Sequence, residues 1–244
     1  MIKVTIYNEF VHEKQDKNVA KIYPNGIHNA IKQGIEDNEI LVKTVTLDNI
    51  ETLTKEVLKE TDVIIWWGHI EHGAVPDEVA QNVAEAVLSG MGAIFLHSAH
   101  HSKPFKKLMG TSCNLTWRED GDRELVWVCN PSHPITEGIE RFIHLQNVET
   151  YGEPFCIPEP DELIFIGNYS GGEVFRSGCC WKRENGKIFY FQPGHETCRS
   201  YHNPHILRII ENAIRWVRPT EQVSDVATAC TWSERSIVDE FQDL

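Results

Sequence analysis

No stretch of this 244-residue chain approaches the uninterrupted apolar length of a membrane span, and its first ten residues, MIKVTIYNEF, read as a strand rather than as a basic segment leading into a signal core. A cytoplasmic protein with no membrane partner is the expectation. Positive charge is scarce as well: 23 Lys and Arg stand against 36 Asp and Glu, a formal charge of -13. Nucleic acid is thereby disfavoured as a partner, because holding phosphates requires a basic surface. A small neutral ligand fits better. No nucleotide-cofactor motif is found. The seven cysteines, Cys113, Cys129, Cys156, Cys179, Cys180, Cys198 and Cys230, are odd in number and contain no CxxC pair. Neither a disulfide framework nor a paired-cysteine zinc site is expected from them, and reduced thiols packed as small hydrophobes account for the set. Internal repeats and low-complexity tracts are missing too.

What the chain does have is histidine at the ends of hydrophobic strands. Lys187 to Ser200, KIFYFQPGHETCRS, is an apolar run that stops at Gln192-Pro193-Gly194 and delivers His195. Val63-Ile64-Ile65-Trp66-Trp67-Gly68 ends in His69, Gly92-Ala93-Ile94-Phe95-Leu96 ends in His97, and Val4 to Tyr7 runs out through Asn8 and Glu9 toward His12. Continuous apolar runs of this kind read as strands buried on both faces, as in a parallel sheet. In an open α/β sheet the ligand crevice lies at the carboxyl ends of the strands, so the four exits should converge on one place.

Taken in order, the first hundred residues alternate β-α-β-α-β-α-β, the pattern of a doubly wound sheet. Asn8 to Ala20 is a long polar connection able to line a site. Pro24 stands where a helix can begin, Thr54 to Lys59 reads as a short second helix, and a third follows Pro76-Asp77-Glu78, with Gly90 and Gly92 to stop it. After a short helix at Lys103 to Met109 the alternation breaks down. Strand-like pieces at Glu124 to Cys129, Val148 to Tyr151, Leu163 to Tyr169 and Val174 to Trp181 suggest a β-rich insertion before the last core strand and the amphipathic helix Pro204 to Val217. The expected architecture is a flavodoxin-like, doubly wound, mostly parallel sheet in one domain over 1–218. An acidic tail, 219–244, would follow, helical in part and able to meet a neighbouring subunit of a homo-oligomer.

Three motifs in order, GHIEHG after the third strand, IFLHSAHHS after the fourth and KIFYFQPGHE before the final helix, resemble the ThuA family of trehalose-utilisation proteins over roughly Ile2 to Val217. The resemblance implies a fold similar to class I glutamine amidotransferases, in which a cysteine sits on a tight turn after a central strand and a histidine follows a late strand. Here that turn is Leu96-His97-Ser98-Ala99-His100, without cysteine, so glutamine hydrolysis by thiolate chemistry is not expected. His195 matches the late histidine, but Thr197 stands where an acid would follow, with Glu196 one place early. The resemblance implies a role in the utilisation of trehalose or a related sugar.

The candidate residues follow. His69 and His72 would share one face if HIEH is helical, and could hold a divalent metal, zinc or another, together with His97 or His195; Gly73 argues instead for a loop there. His195, His97 and Glu153 are the candidates for acid-base chemistry on a sugar carbonyl or hydroxyl, isomerisation or hydrolysis. Glu153 is preferred over Glu149 in VETYGEPF because Gly152 and Pro154 flank it. Trp67, Ser98, His100, Arg176 and His12 are candidates for substrate binding: one tryptophan of Trp66-Trp67 could stack on a sugar ring, and Arg176, within an apolar strand, requires either a ligand or an ion-pair partner. Two other readings stand beside this one. The first is a non-catalytic sugar- or protein-binding module, and the second a serine hydrolase using Ser98, which lacks the flanking glycines of a G-x-S-x-G elbow.

Overall fold

The computed structural model describes residues 1–220. The expected tail therefore lies outside the described residues from position 221 on. Among the described residues nine strands form one sheet: β1 (Ile2–Asn8), β2 (Ile40–Thr46), β3 (Val63–Trp67), β4 (Gly92–Leu96), β5 (Thr116–Val128), β6 (Phe142–Gly152), β7 (Glu162–Tyr169), β8 (Val174–Arg183) and β9 (Gly186–Phe191). Its order is β2-β1-β3-β4-β9-β8-β7-β5-β6. The helices are α1 (His12–Gln15), α2 (Lys17–Ile22), α3 (Ile27–Ile35), α4 (Lys55–Lys59), α5 (Asp77–Leu88), α6 (Lys103–Met109) and α7 (Pro204–Val217).

The sheet has two halves. From β2 to β9 the strands run parallel, and in β3 and β4 every residue is buried, which is why they read as unbroken apolar runs. The second half, β8, β7, β5 and β6, is antiparallel throughout. The α/β architecture is thus as expected, with the β-rich insertion forming a four-stranded extension of the same sheet.

β5 begins at Thr116 and β6 at Phe142, well before the segments their sequences suggest. The early part of β5, TWREDGDRE, is charged and largely exposed, so it carries no period-2 apolar signal. It is a strand because β6 pairs with it: Thr116 faces Gly152, Trp117 faces Tyr151 and Arg118 faces Thr150. Between Arg118 and Asp122 the register slips. Gly121 (φ 74°) and Asn147 (φ 54°) take left-handed conformations on the two strands at this level. Such a bulge bends a ribbon and increases its twist. The bend returns the start of β5 and the end of β6 to the carboxyl ends of the parallel strands, although four strands separate β6 from β4 in the sheet order.

Candidate functional site

The register sets the height of the site. Trp67 pairs with Leu96, and Leu96 with Phe191, so β3, β4 and β9 end level with one another and release their chains on the same rim. His69, His97 and His195 gather there, with ring centroids 5.9 Å apart for His69 and His97, 5.4 Å for His69 and His195, and 5.3 Å for His97 and His195. The exit of β1 adds His12 on α1, whose Nε2 lies 2.8 Å from His69 Nδ1. His97 occupies the tight turn after β4 with φ 53°, a left-handed conformation that costs a non-glycine residue about 1 kcal/mol or more. Gly194 (φ 148°) makes the turn before His195, where a Cβ would collide with the Tyr201 hydroxyl.

The bent arm brings acids to the imidazoles. Glu149 of β6 places Oε2 3.0 Å from His97 Nε2 and 3.9 Å from His195 Nε2. Glu196 lies 3.1 Å from His69 Nδ1, 3.5 Å from His12 Nε2 and 3.5 Å from His195 Nε2. Glu119, in the early part of β5, stands 3.9 Å from His195 Nε2. Two donor sets result, His69, His97, Glu149 and His195, and His12, His69 and Glu196, each with its donor atoms within 4.8 Å of one another.

Tautomers limit what these groups can do. His97 Nδ1 is 2.9 Å from the carbonyl oxygen of Gln192. A carbonyl only accepts, so Nδ1 carries the proton and a neutral His97 presents a bare Nε2 lone pair to the cluster. That Nε2 and Glu149 Oε2 are both buried, and among the described residues neither has a hydrogen-bond partner. Two acceptors facing each other at 3.0 Å require positive charge, either a proton on Nε2 or a cation among the donors. His195 differs. Its Nδ1 accepts from the Thr197 main-chain N–H at 3.4 Å and meets the Thr197 hydroxyl at 2.8 Å, so a neutral His195 carries its proton on Nε2, toward Glu149 and Glu196.

Burial dominates the titration of the cluster, and the partners decide its sign. Burial and the neighbouring His97 charge, only partly offset by Glu196 and Glu149, bring His195 down to about 4. Burial pushes Glu196 upward, but the hydrogen bond to His69 and the charges of His195, His69 and His12 outweigh it and hold the carboxyl at about 2. Glu149 is likewise lowered against its burial by His97, His195 and His69. Burial disfavours charge on His69, yet Glu196, Glu149 and Glu9 raise it. At neutral pH the site therefore holds ionised carboxylates beside a neutral His195.

The other sequence candidates fall elsewhere. Glu153 is not in the cluster: both its oxygens are taken by Arg176, at 2.8 and 2.9 Å, and by the main-chain N–H groups of Phe155 and Arg176. This also supplies the partner that Arg176 requires, so neither residue is offered to a ligand. The carboxylate at the rim is Glu149, which lies within the strand, whereas Glu153 lies past its end. His72 belongs to neither donor set. Glu9 accepts from the N–H groups of Ile70 and Glu71 and turns the chain, so that HIEH is not a helix and His72 faces Glu9 Oε1 at 3.6 Å. Trp67 and Trp66 are both fully buried, the Trp67 indole donating to Gly194 O at 3.1 Å, so no face is open to a sugar. His100 is buried with Nδ1 donating to Cys113 O. Ser98 meets the Tyr151 hydroxyl at 3.0 Å rather than an imidazole, which does not assemble a serine-histidine pair. Glu196 was visible in the sequence only as an acid one place early, and the turn at Gly194 is what aims it inward.

A family model described as trehalose utilisation, ThuA, matches residues 3–217. The chain belongs to the ThuA family. Among solved structures, a ThuA-like protein from Parabacteroides merdae is 13% identical, covers 91% of this chain and 92% of its own, and has a TM-score of 0.66. A ThuA-like protein from Bacteroides uniformis is 20% identical over 88% of this chain and 90% of its own, with a TM-score of 0.63. PurLQS from Thermotoga maritima, 14% identical over 88% of this chain and 98% of its own, has a TM-score of 0.53. These likenesses show the fold, an α/β architecture. A comparison with curated proteins finds no match. ThuA membership suggests a role in trehalose utilisation, and among the described residues no helix is long and apolar enough to cross a membrane.

Proposed function

We propose that this ThuA protein is an enzyme acting on trehalose or a related sugar derivative through metal-assisted proton transfer at the rim of the parallel strands. The observation that carries this reading is the bare, buried pair of His97 Nε2 and Glu149 Oε2, 3.0 Å apart with His69 and His195 beside it. The edge of a tetrahedral site with bonds of about 2.0–2.2 Å is about 3.3–3.6 Å, so the two atoms need part by only a few tenths of an ångström to share an ion. His69, His97 and Glu149 would hold a divalent ion of the zinc kind, two imidazoles and a carboxylate leaving an open position. When bound, such an ion polarises a carbonyl or hydroxyl oxygen of the substrate.

The chain's own residues supply the rest. Gln192 fixes the His97 tautomer, and Glu196 orients His69 and His12. His195, neutral at pH 7 with Nδ1 turned to Thr197 and Nε2 to the cluster, gives its Nε2 proton to a substrate oxygen and takes one back, the acid-base step that isomerisation or hydrolysis requires. His100 and Tyr151 close the floor against water.

Elemental analysis of protein purified without added metal tests this. About one equivalent of a divalent metal is expected in the unaltered chain. The content should fall at least about tenfold in His97→Ala and Glu149→Gln, and stay unchanged in Glu153→Gln. Metal-free wild-type protein that also fails to bind added zinc would overturn the proposal.

A further inference from the structure

Trp117 is 65% exposed, while Trp66, Trp67 and Trp181 are buried to within 1%. Its position in the ladder makes that exposure informative. Directly opposed residues of an antiparallel pair present their side chains on one face, as do residues two apart on a strand. Trp117 is opposed to Tyr151, whose ring stacks on His97 at 5.2 Å between centroids and 14° between planes. Two residues further on, Glu119 puts its carboxylate 3.9 Å from His195. Trp117 thus stands beside the mouth of the histidine cluster, held there by the bent arm.

We infer that Trp117 is the platform on which a neutral, unphosphorylated saccharide stacks, with Glu119 accepting hydrogen bonds from its hydroxyls and the reacting atom directed toward His195. This rests on the reading of the site as sugar-directed and specifies how the sugar is held. An indole face suits the C–H side of a pyranose ring, as it suits other apolar faces carrying a polar edge. Three acidic side chains, Glu119, Glu149 and Glu196, stand around His195 at the opening and disfavour an anionic ligand. The family description names trehalose utilisation, and trehalose is uncharged. The stacking role that the sequence offers to Trp67 falls instead to a tryptophan in a charged stretch without apolar alternation.

Calorimetric titration of the full, metal-loaded chain with trehalose and with trehalose 6-phosphate tests the inference, in parallel with sedimentation of each variant. Trehalose should bind the unaltered protein and the phosphate much less well. Trp117→Ala should weaken trehalose binding roughly tenfold and Trp117→Phe by less, the range of a lost aromatic contact, both with an unchanged thermal midpoint because the side chain is exposed. Equal affinity in wild type and Trp117→Ala would overturn the platform while leaving the sugar reading intact. A change of oligomeric mass in Trp117→Ala with trehalose affinity retained would make Trp117 an interface residue and overturn it too. A wild-type chain that binds neither trehalose nor other neutral disaccharides would remove the sugar reading itself, and this inference with it.

Discussion

Glu124 is fully buried beneath the rim, beside Ser177 and the side chain of Gln192, the residue whose carbonyl orients His97. Burial pushes its carboxyl up to about 8, against the hydrogen bonds of Tyr169 and Ser177. Gly167 makes room for it, since a Cβ there would strike Glu124 Oε1. In the unfolded chain the group titrates near the ordinary glutamate value. Between those two values the folded state binds the extra proton, so its contribution is fully present below the unfolded pKa and is lost as pH rises through about 8. Glu124→Gln removes that dependence. Urea unfolding should show the variant gaining on the wild type from about pH 5 to pH 8, by an amount on the order of a few kcal/mol. A stability difference that does not change with pH would show that the carboxyl is not neutral in the fold. Single side chains also mark where sequence reading stops. His69, His97 and His195 were legible because each follows a run such as VIIWW, GAIFL or KIFYF, and the rim position comes from the strand itself. Glu149 and Glu153 look alike from sequence, and the choice between them depends on where β6 ends and which acid Arg176 occupies.

Elements of the parallel half were legible for the same reason: a strand buried on both faces has no alternation to lose, and α7 carries a stripe of Ile206, Ile209, Ile210, Ala213, Ile214 and Val217 that is buried as its periodicity implies. The arm made by β5 and β6 was not, because its strand character comes from cross-strand pairing and not from the composition of either partner. How tightly helix and strand meet can be tested at the start of β4. A Cβ on Gly92 would lie 2.5 Å from Val217 O and 2.7 Å from Val217 Cγ2, at the last turn of α7. Backbone cannot yield as a side-chain tip can, so Gly92→Ala should cost about 1–3 kcal/mol, as overpacking does. Chemical denaturation reads this directly, and an unchanged midpoint would mean that α7 ends further from the sheet.

Charge is a property of the molecule entire. With a formal charge of -13 the folded chain repels itself, and ion pairs such as Arg215 with Asp37 and Glu211 lie on the surface, where they contribute little. Raising monovalent salt from about 0.01 to 0.15 M shortens the screening length from roughly 30 to 8 Å. The melting temperature should rise by a few degrees, for about 1 kcal/mol of relieved repulsion. A fall in melting temperature would show instead that attractive pairs dominate the surface.

The arm that folds back over the strand ends has one more consequence. Its acids and its tryptophan come from the antiparallel half of the sheet, while the imidazoles they meet come from the parallel half. Whatever occupies the crevice is gripped from both sides of that seam, so it also fastens one half to the other, and a guest that leaves takes part of the joinery with it.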